Sequence, residues 1–216
     1  MKQTIRAFLR CIIYLAGIFL VSLGIVLCKK CNLGISPISS IPYVLEELVP
    51  LSFGTLTMLF HFVNIALQLI LTRKLLAPKI LLQIPLAFVF GCVIDWLQEL
   101  VVFDGTILLY QVLALAGSIF VTALGMVCMI NMNLIQNPPD GFVRQLSQQL
   151  QTELGTVKIV YDCSCVVIAT VLGLVLLGRA KGLGVATVFS MLLVGRTVTW
   201  LQTMKIKLKR PRKAQL

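Results

Sequence analysis

Four ionisable side chains lie inside long apolar stretches of the sequence: His61, Asp95, Asp162 and Arg196. Such residues are costly at membrane depth and usually face a partner or a water-filled cavity. At about 1.5 Å per helical residue, Asp162 and Arg196 lie roughly 10 to 12 Å from one face of a membrane. We therefore expect Asp162 to pair with Arg196, and His61 to pair with Asp95 near the other face.

These pairs permit two interpretations, and the sequence leaves both open. The pairs line a path for a polar or charged solute or carry protons, since a histidine beside a carboxylate titrates near neutral pH. Alternatively, each pair is a buried salt bridge that fixes the packing of two helices. Lys158, one turn before Asp162, is expected to extend its amine to the membrane surface.

Two segments predict short helices between the apolar stretches. Ser36 before Pro37 and Asn137 before Pro138 have the residue types of an N-cap followed by a proline in the first helical turn. The expected helices cover residues 37–49 and 138–152. If their N-termini dip into the protein, the free N–H groups suit an anion, whereas helices that lie flat form no site there. The polar residues of the second helix favour a position at the membrane surface.

No sequence pattern supports catalysis, because the chain lacks a nucleophile elbow, an H-E-x-x-H motif and a Walker loop. Of the seven cysteines, Cys28 and Cys31 form a C-x-x-C, but neither a second cysteine pair nor a clustered histidine completes a metal site. We therefore expect a protein that is not an enzyme and that binds no metal and no cofactor.

Membrane-spanning helices are the elements that must position these residues. Of the 216 residues, 58% are hydrophobic and only 12% are charged, which lies outside the range of soluble globular proteins. A helix needs about 20 apolar residues to cross a bilayer. Stretches of that length cover approximately residues 8–28, 54–73, 79–100, 107–131, 155–177 and 183–204. The predicted fold class is all-α, a polytopic membrane protein with six transmembrane helices.

The sequence also contains an internal duplication. The motif Asn32-Leu33-Gly34-Ile35-Ser36-Pro37 returns as Asn133-Leu134-Ile135-Gln136-Asn137-Pro138, and the match extends to Gly54 and Gly155. A slightly larger offset pairs Gly91 and Trp96 with Gly195 and Trp200. Each copy holds three spans and one short amphipathic or re-entrant helix, and an odd number of spans inverts the second copy. The predicted parts are a first repeat (1–103), an inverted second repeat (104–204) and a basic tail (205–216).

The distribution of basic residues predicts the orientation, because cytoplasmic loops carry an excess of lysine and arginine. With a cytoplasmic N-terminus, fourteen of the 19 basic residues fall on the inner side and four on the outer side, with Arg196 left within the membrane. We therefore expect both termini to be cytoplasmic. The net charge of +11 reports this topology and not a nucleic-acid partner, and the basic tail is expected to bind anionic lipid head groups.

The repeat motif resembles the YczE/YyaS/YitT family of bacterial integral membrane proteins. The resemblance covers most of the chain and rests on Asn32-Leu33-Gly34 with Ser36-Pro37, Pro139-Asp140-Gly141, Leu154-Gly155-Thr156-Val157 and Gly182-Leu183-Gly184-Val185. It implies a multi-pass protein of the bacterial cytoplasmic membrane and implies no particular substrate.

The leading functional hypothesis is a small secondary transporter or permease for a polar or anionic small molecule, because inverted repeats and intramembrane charges are typical of such proteins. The alternatives are a non-transporting membrane scaffold or regulatory protein, and the substrate-capturing subunit of a larger importer. Membrane lipid is an expected partner, and a small-molecule substrate and a homodimer remain open. The candidate substrate-binding residues are His61, Asp95, Asp162, Arg196, Ser36, Asn137 and Asp140.

Overall fold

The computed structural model describes residues 2–73, 78–102, 107–179, 182 and 184–209, which form helices and connecting loops and contain no strand. Six of the helices are long and apolar enough to cross a membrane, so the protein is a multi-pass membrane protein, and the predicted six-span all-α fold is confirmed. The six are α1 (Lys2–Lys30), α3 (Phe53–Thr72), α5 (Gln83–Leu100), α6 (Leu108–Met132), α8 (Leu154–Leu177) and α9 (Val185–Lys209).

Short helices fill the gaps between these spans: a 3₁₀ turn (Pro37–Ser39) that continues into α2 (Ser40–Leu45), then α4 (Pro78–Leu81) and α7 (Pro138–Leu150). The helix predicted over 37–49 begins at the expected residue but is shorter. Its first turn is 3₁₀, and after Leu45 the chain tightens into turns, with Leu48 N–H donating to Leu45 O at 2.9 Å. The helix predicted over 138–152 is present as α7 and ends two residues earlier.

The spanning helices alternate in direction, and side-chain contacts tie their ends together. Near the start of α1, Arg10 donates a 2.6 Å hydrogen bond to Met132 O at the end of α6. At the far end of α1, Lys29 forms a 2.6 Å ion pair with Glu46, which follows α2. We call the side on which α1 begins the N-terminal side and the other the far side. That the N-terminal side is cytoplasmic remains a prediction.

The helices pack as a pseudo-twofold arrangement centred on α1 and α6, which form the largest contact of the fold. The helices α1, α3 and α5 of the first repeat correspond to α6, α8 and α9 of the second, and α2 corresponds to α7. Accordingly, α1 packs on α5 as α6 packs on α9, and α3 packs on α7 as α8 packs on α2. The contacts of α2 with α3 and of α7 with α8 form another matched pair. These pairs are what inverted repeats require, since each helix in one copy has a counterpart in the other.

The two short helices insert their N-terminal turns between the spans. In α2, the Ser40 hydroxyl lies 3.3 Å from the carbonyl oxygen of Cys165, and Cys165 lies about 18 Å along α8 from its far-side end. In α7, Pro138 O accepts a 2.9 Å hydrogen bond from Gln68 Nε2. The expectation that the second helix lies flat at the surface therefore fails for its first turn, although its later residues Gln148–Leu150 are exposed.

The predicted boundary between the repeats, at residues 103 and 104, lies outside the described residues, so the domain limits stay a prediction. The predicted tail begins as a continuation of α9, which runs to Lys209. The rest of that tail, residues 210–216, also lies outside the described part of the chain.

Candidate functional site

A stripe of polar side chains runs along the buried face of α3. Thr57, His61, Asn64 and Gln68 are spaced three or four residues apart, and each is at most 3% exposed. That spacing places all four on one side of the helix. Thr57 and the Asn64 amide nitrogen donate to carbonyl oxygens of their own helix, at 2.8 and 2.9 Å. The remaining polar groups of the stripe need partners on neighbouring helices, because lipid supplies no hydrogen bonds.

The first turn of α7 meets the N-terminal-side end of this stripe. Gln68 Nε2 donates to Pro138 O, and the Gln68 and Gln83 amides bond to each other at 2.8 and 3.1 Å. Gly141 makes this approach feasible, because a Cβ there would lie 2.8 Å from Gln68 Oε1. The proline-led helix start predicted from the sequence is thus held inside the protein by α3 and α5.

Three charged residues lie beside the stripe, on α7 and α8. Lys158 Nζ is 3.3 Å from Asp140 Oδ1 and 3.2 Å from Asp162 Oδ1. Asp162 is only 5% exposed, and the Lys158 ammonium is the one charged group that pairs with it in the described part of the chain. One lysine between two carboxylates leaves one negative charge in excess. Charge at this depth is costly unless it is compensated.

A hydrogen bond joins the stripe to α8, the helix that carries Lys158 and Asp162. The Tyr161 hydroxyl donates to Asn64 Oδ1 at 2.7 Å, which connects α8 to α3 across the first turn of α7. One turn away on the same face of α3, the His61 ring meets the edge of Phe90, with ring centroids 5.4 Å apart. His61 Nδ1 is buried and has no hydrogen-bond partner among the described residues. We call His61, Asn64, Asp140, Lys158, Tyr161 and Asp162 the polar site.

The predicted pairing of His61 with Asp95 is wrong. Asp95 accepts hydrogen bonds from the Ser52 hydroxyl at 2.5 Å and from Gly54 N–H at 2.8 Å. These groups lie at the start of α3, where backbone N–H groups have no intrahelical partner and a carboxylate is favoured. Asp95 therefore caps α3 at the far side, about two helical turns from His61.

The predicted pairing of Asp162 with Arg196 is also wrong. Asp162 pairs with Lys158 of its own helix, so Lys158 does not simply extend to the membrane surface. Arg196 is exposed, and the described residues contain no ion pair that includes it. The physical reason is the position of α9, which packs on α6 and has no comparable contact with α8.

Ser36 and Asn137 precede their helices as predicted, but neither side chain caps the helix backbone. The Ser36 hydroxyl instead donates to Ser39 Oγ at 3.1 Å. Asn137 Oδ1 is buried, with no partner among the described residues. Ser36 also lines a cavity of about 30 Å³ together with Cys28, Ser118 and Ser190, which is large enough for one water molecule.

A second charged cluster lies on the far side, where one lysine pairs with one carboxylate. Lys29 pairs with Glu46, hydrogen-bonds Gln98 and lies 4.4 Å from the centroid of the Phe53 ring. Burial raises the pKa of the nearby Tyr43 hydroxyl, and the Glu46 carboxylate adds to the rise. Because each charge in this cluster is compensated, it serves to hold α1, α2 and α5 together.

The model of one protein family, described as "Family of unknown function (DUF6198)", matches residues 8–203. The chain belongs to this family. The match covers all six spans and the polar site, and it does not name the YczE/YyaS/YitT family, so that resemblance remains a prediction. No curated protein and no solved structure matches the chain.

In this DUF6198 chain, the polar site unites three of the seven sequence candidates, His61, Asp140 and Asp162. The other four, Ser36, Asp95, Asn137 and Arg196, are not part of it. Sequence reasoning missed Asn64, Gln68 and Tyr161. A signal for the first two was present, because Thr57, His61, Asn64 and Gln68 follow the period of a helix within an apolar span. Tyr161 gave no such signal. Among the described residues, no group of three or more His, Cys, Asp or Glu side chains is placed to hold a metal ion.

Proposed function

We propose that the protein is a small secondary transporter or permease that binds a polar solute at the polar site. The observation that carries this proposal is twofold: the buried Asp162 and the partly exposed Asp140 share one lysine, and a buried His61 nitrogen has no partner among the described residues. Buried polar groups that lack partners are costly, and a ligand that supplies the missing contacts would be bound tightly for that reason.

The charge of the polar site favours some solutes over others. Asp140 and Asp162 together carry two negative charges against the one positive charge of Lys158, while the amide and hydroxyl of Asn64 and Tyr161 are neutral. A solute with a positively charged group, or a proton, would balance this excess. The site therefore fits a cationic or neutral polar solute better than the anion that the helix N-termini suggest.

Ligand-dependent thermal unfolding of the detergent-purified protein tests the proposal. A ligand that binds only the folded state at a hundredfold excess over its Kd stabilises that state by about 2.7 kcal/mol. We expect a member of a panel of amines, amino acids, sugars and inorganic cations to raise the midpoint of the wild type. The Asp162→Asn variant should lose this response, because it removes the excess charge with almost no change in shape.

Arg196→Gln is the matched control, since it also removes a charge from a span but lies outside the polar site. It should respond to the ligand like the wild type. A panel without any effect, or a response that survives in Asp162→Asn, would contradict the assignment of the site. Either result would favour the scaffold alternative, in which the charged residues only hold α7 against α8.

Uptake into proteoliposomes separates the transporter from a substrate-capturing subunit. The ligand found by thermal unfolding should accumulate inside vesicles that contain only this chain. Binding without uptake would identify a capture subunit that requires an energy-coupling partner.

A further inference from the structure

One contact of the pseudo-twofold arrangement lacks its counterpart. α3 and α5 pack closely, whereas α8 and α9, which correspond to them in the second repeat, have no comparable contact in the described part of the chain. α8 and α9 are also the least buried of the six spans. The difference is confined to one pair of helices, because the other main contacts are matched.

In the packed pair, α3 and α5, the two helices approach each other most closely at two glycines. A Cβ at Gly54 would collide with the carbonyl oxygen of Gly91, and a Cβ at Gly91 would lie 2.8 Å from Gly54 O. Backbones approach this closely only where neither residue has a side chain. The contact lies at the far side, and the short connection between α3 and α5 lies at the N-terminal side.

The second repeat contains the same two glycines, but they are not in contact. Gly155 occupies the position of Gly54 and Gly195 that of Gly91. A Cβ at either of them would meet no atom within 4 Å. α8 and α9 are joined at the far side, so the gap that separates Gly155 from Gly195 opens toward the N-terminal side, where α7 and Lys158 also lie.

The polar residues around these glycines also correspond. In the packed pair, the Ser52 hydroxyl of the α3 N-cap donates to the Asp95 carboxylate of α5. At the same offsets, α8 begins after Glu153 and α9 carries Thr199. In the second repeat the carboxylate therefore lies at the start of α8 and the hydroxyl on α9. A hydrogen bond between these positions is still possible, with the α9 residue as the donor.

From these correspondences we infer that the protein has a second conformation, in which α8 closes on α9 through Gly155 and Gly195 and Thr199 donates to Glu153. The structure then represents a state that is closed between α3 and α5 at the far side and open between α8 and α9 at the N-terminal side. Inverted repeats change access to a central site in this manner, since each repeat adopts in turn the conformation of the other. The inference concerns the helices alone and does not depend on which solute binds.

Disulfide trapping tests the closed conformation. The variant carries Glu153→Cys and Thr199→Cys in a background in which the exposed Cys11, Cys92 and Cys163 are replaced by serine. Oxidation in native membranes should join the two cysteines within one chain, because a disulfide captures even a minor conformation once the Cβ atoms come within about 4.5 Å. The product is a monomer with altered mobility in a non-reducing gel.

The Ser52→Cys/Asp95→Cys pair is the positive control, since its side chains are already in contact. The background without added cysteines should give no product.

Two results would overturn the inference. In the first, the control pair is joined while the Glu153→Cys/Thr199→Cys pair stays reduced, which would show that the gap does not close. In the second, the Glu153→Cys/Thr199→Cys pair joins only between two chains and gives a product of twice the mass, which would assign the exposed glycines to a dimer contact. Neither measurement involves a solute, so a failed closure is distinguishable from a failed assignment of the polar site.

Discussion

The helix pairs α3/α5 and α8/α9 have the same glycines and opposite packing. In the first pair, Gly54 is buried against the backbone of Gly91, and in the second, Gly155 and Gly195 are exposed. The comparison shows that a glycine in a membrane helix permits a close contact but does not enforce it. What differs between the pairs is the number of polar links that are formed between the two helices, including those at the ends away from the glycines.

Polar links across α3 and α5 are numerous. Asp95 accepts hydrogen bonds from the start of α3, and Gln68 and Gln83 bond to each other. The residues at the positions of Gln68 and Gln83 in the second repeat are Ala169 and Thr187, which cannot reproduce that amide pair. An α8–α9 contact would therefore be weaker than its counterpart, which suits a contact that must open and close.

The largest expected effect comes from Gly54→Val. Because the new side chain would collide with Gly91, the helices must separate and break the Asp95 hydrogen bonds as well. Overpacking of a close contact costs about 3 kcal/mol. We expect a large fall in the unfolding midpoint or loss of monodisperse protein in size-exclusion chromatography. Gly155→Val, the same change in the open pair, is the control and should purify like the wild type. Equal behaviour of the two variants would mean that the pairs do not differ in solution.

A smaller loss is expected for Asp95→Ala, which leaves the Ser52 hydroxyl and the Gly54 N–H without their acceptor. Loss of a helix N-terminal acceptor costs about 1 to 2 kcal/mol. The counterpart variant Thr199→Ala should change stability by no more than about 0.5 kcal/mol, because the exposed Thr199 hydroxyl bonds to Gly195 O of its own helix and makes no link to α8. Chemical denaturation in detergent micelles measures both values. If Thr199→Ala were as destabilising as Asp95→Ala, the α8–α9 contact would already exist.

The sequence allows much of the fold to be predicted. The lengths of the apolar stretches indicate the six spans, and the duplicated motif with three spans in each copy indicates that the second copy is inverted. It does not reveal the partners of the charged residues. His61 and Asp95 occupy neighbouring helices at compatible depths, but Asp95 instead accepts hydrogen bonds from groups at the start of α3. Asp162 and Arg196 likewise occupy consecutive spans, yet α9 packs on α6 and leaves Arg196 on the outside. Pairing depends on helix rotation and on gaps between helices, and neither is encoded in residue spacing alone.

The smallest expected effect on stability is that of Gly195→Val. This variant should block the approach of α8 to α9 without changing the free energy of unfolding. In the structure a Cβ at residue 195 meets no atom within 4 Å, so the free energy of unfolding should stay within about 0.5 kcal/mol of the wild-type value. In the closed conformation the same side chain would collide with the start of α8. Disulfide formation between Glu153→Cys and Thr199→Cys should therefore be lost when Gly195→Val is added, while the Ser52→Cys/Asp95→Cys product is unchanged. A disulfide yield that is insensitive to Gly195→Val would show that α8 and α9 approach each other without this glycine contact, and the proposed correspondence with α3 and α5 would be wrong.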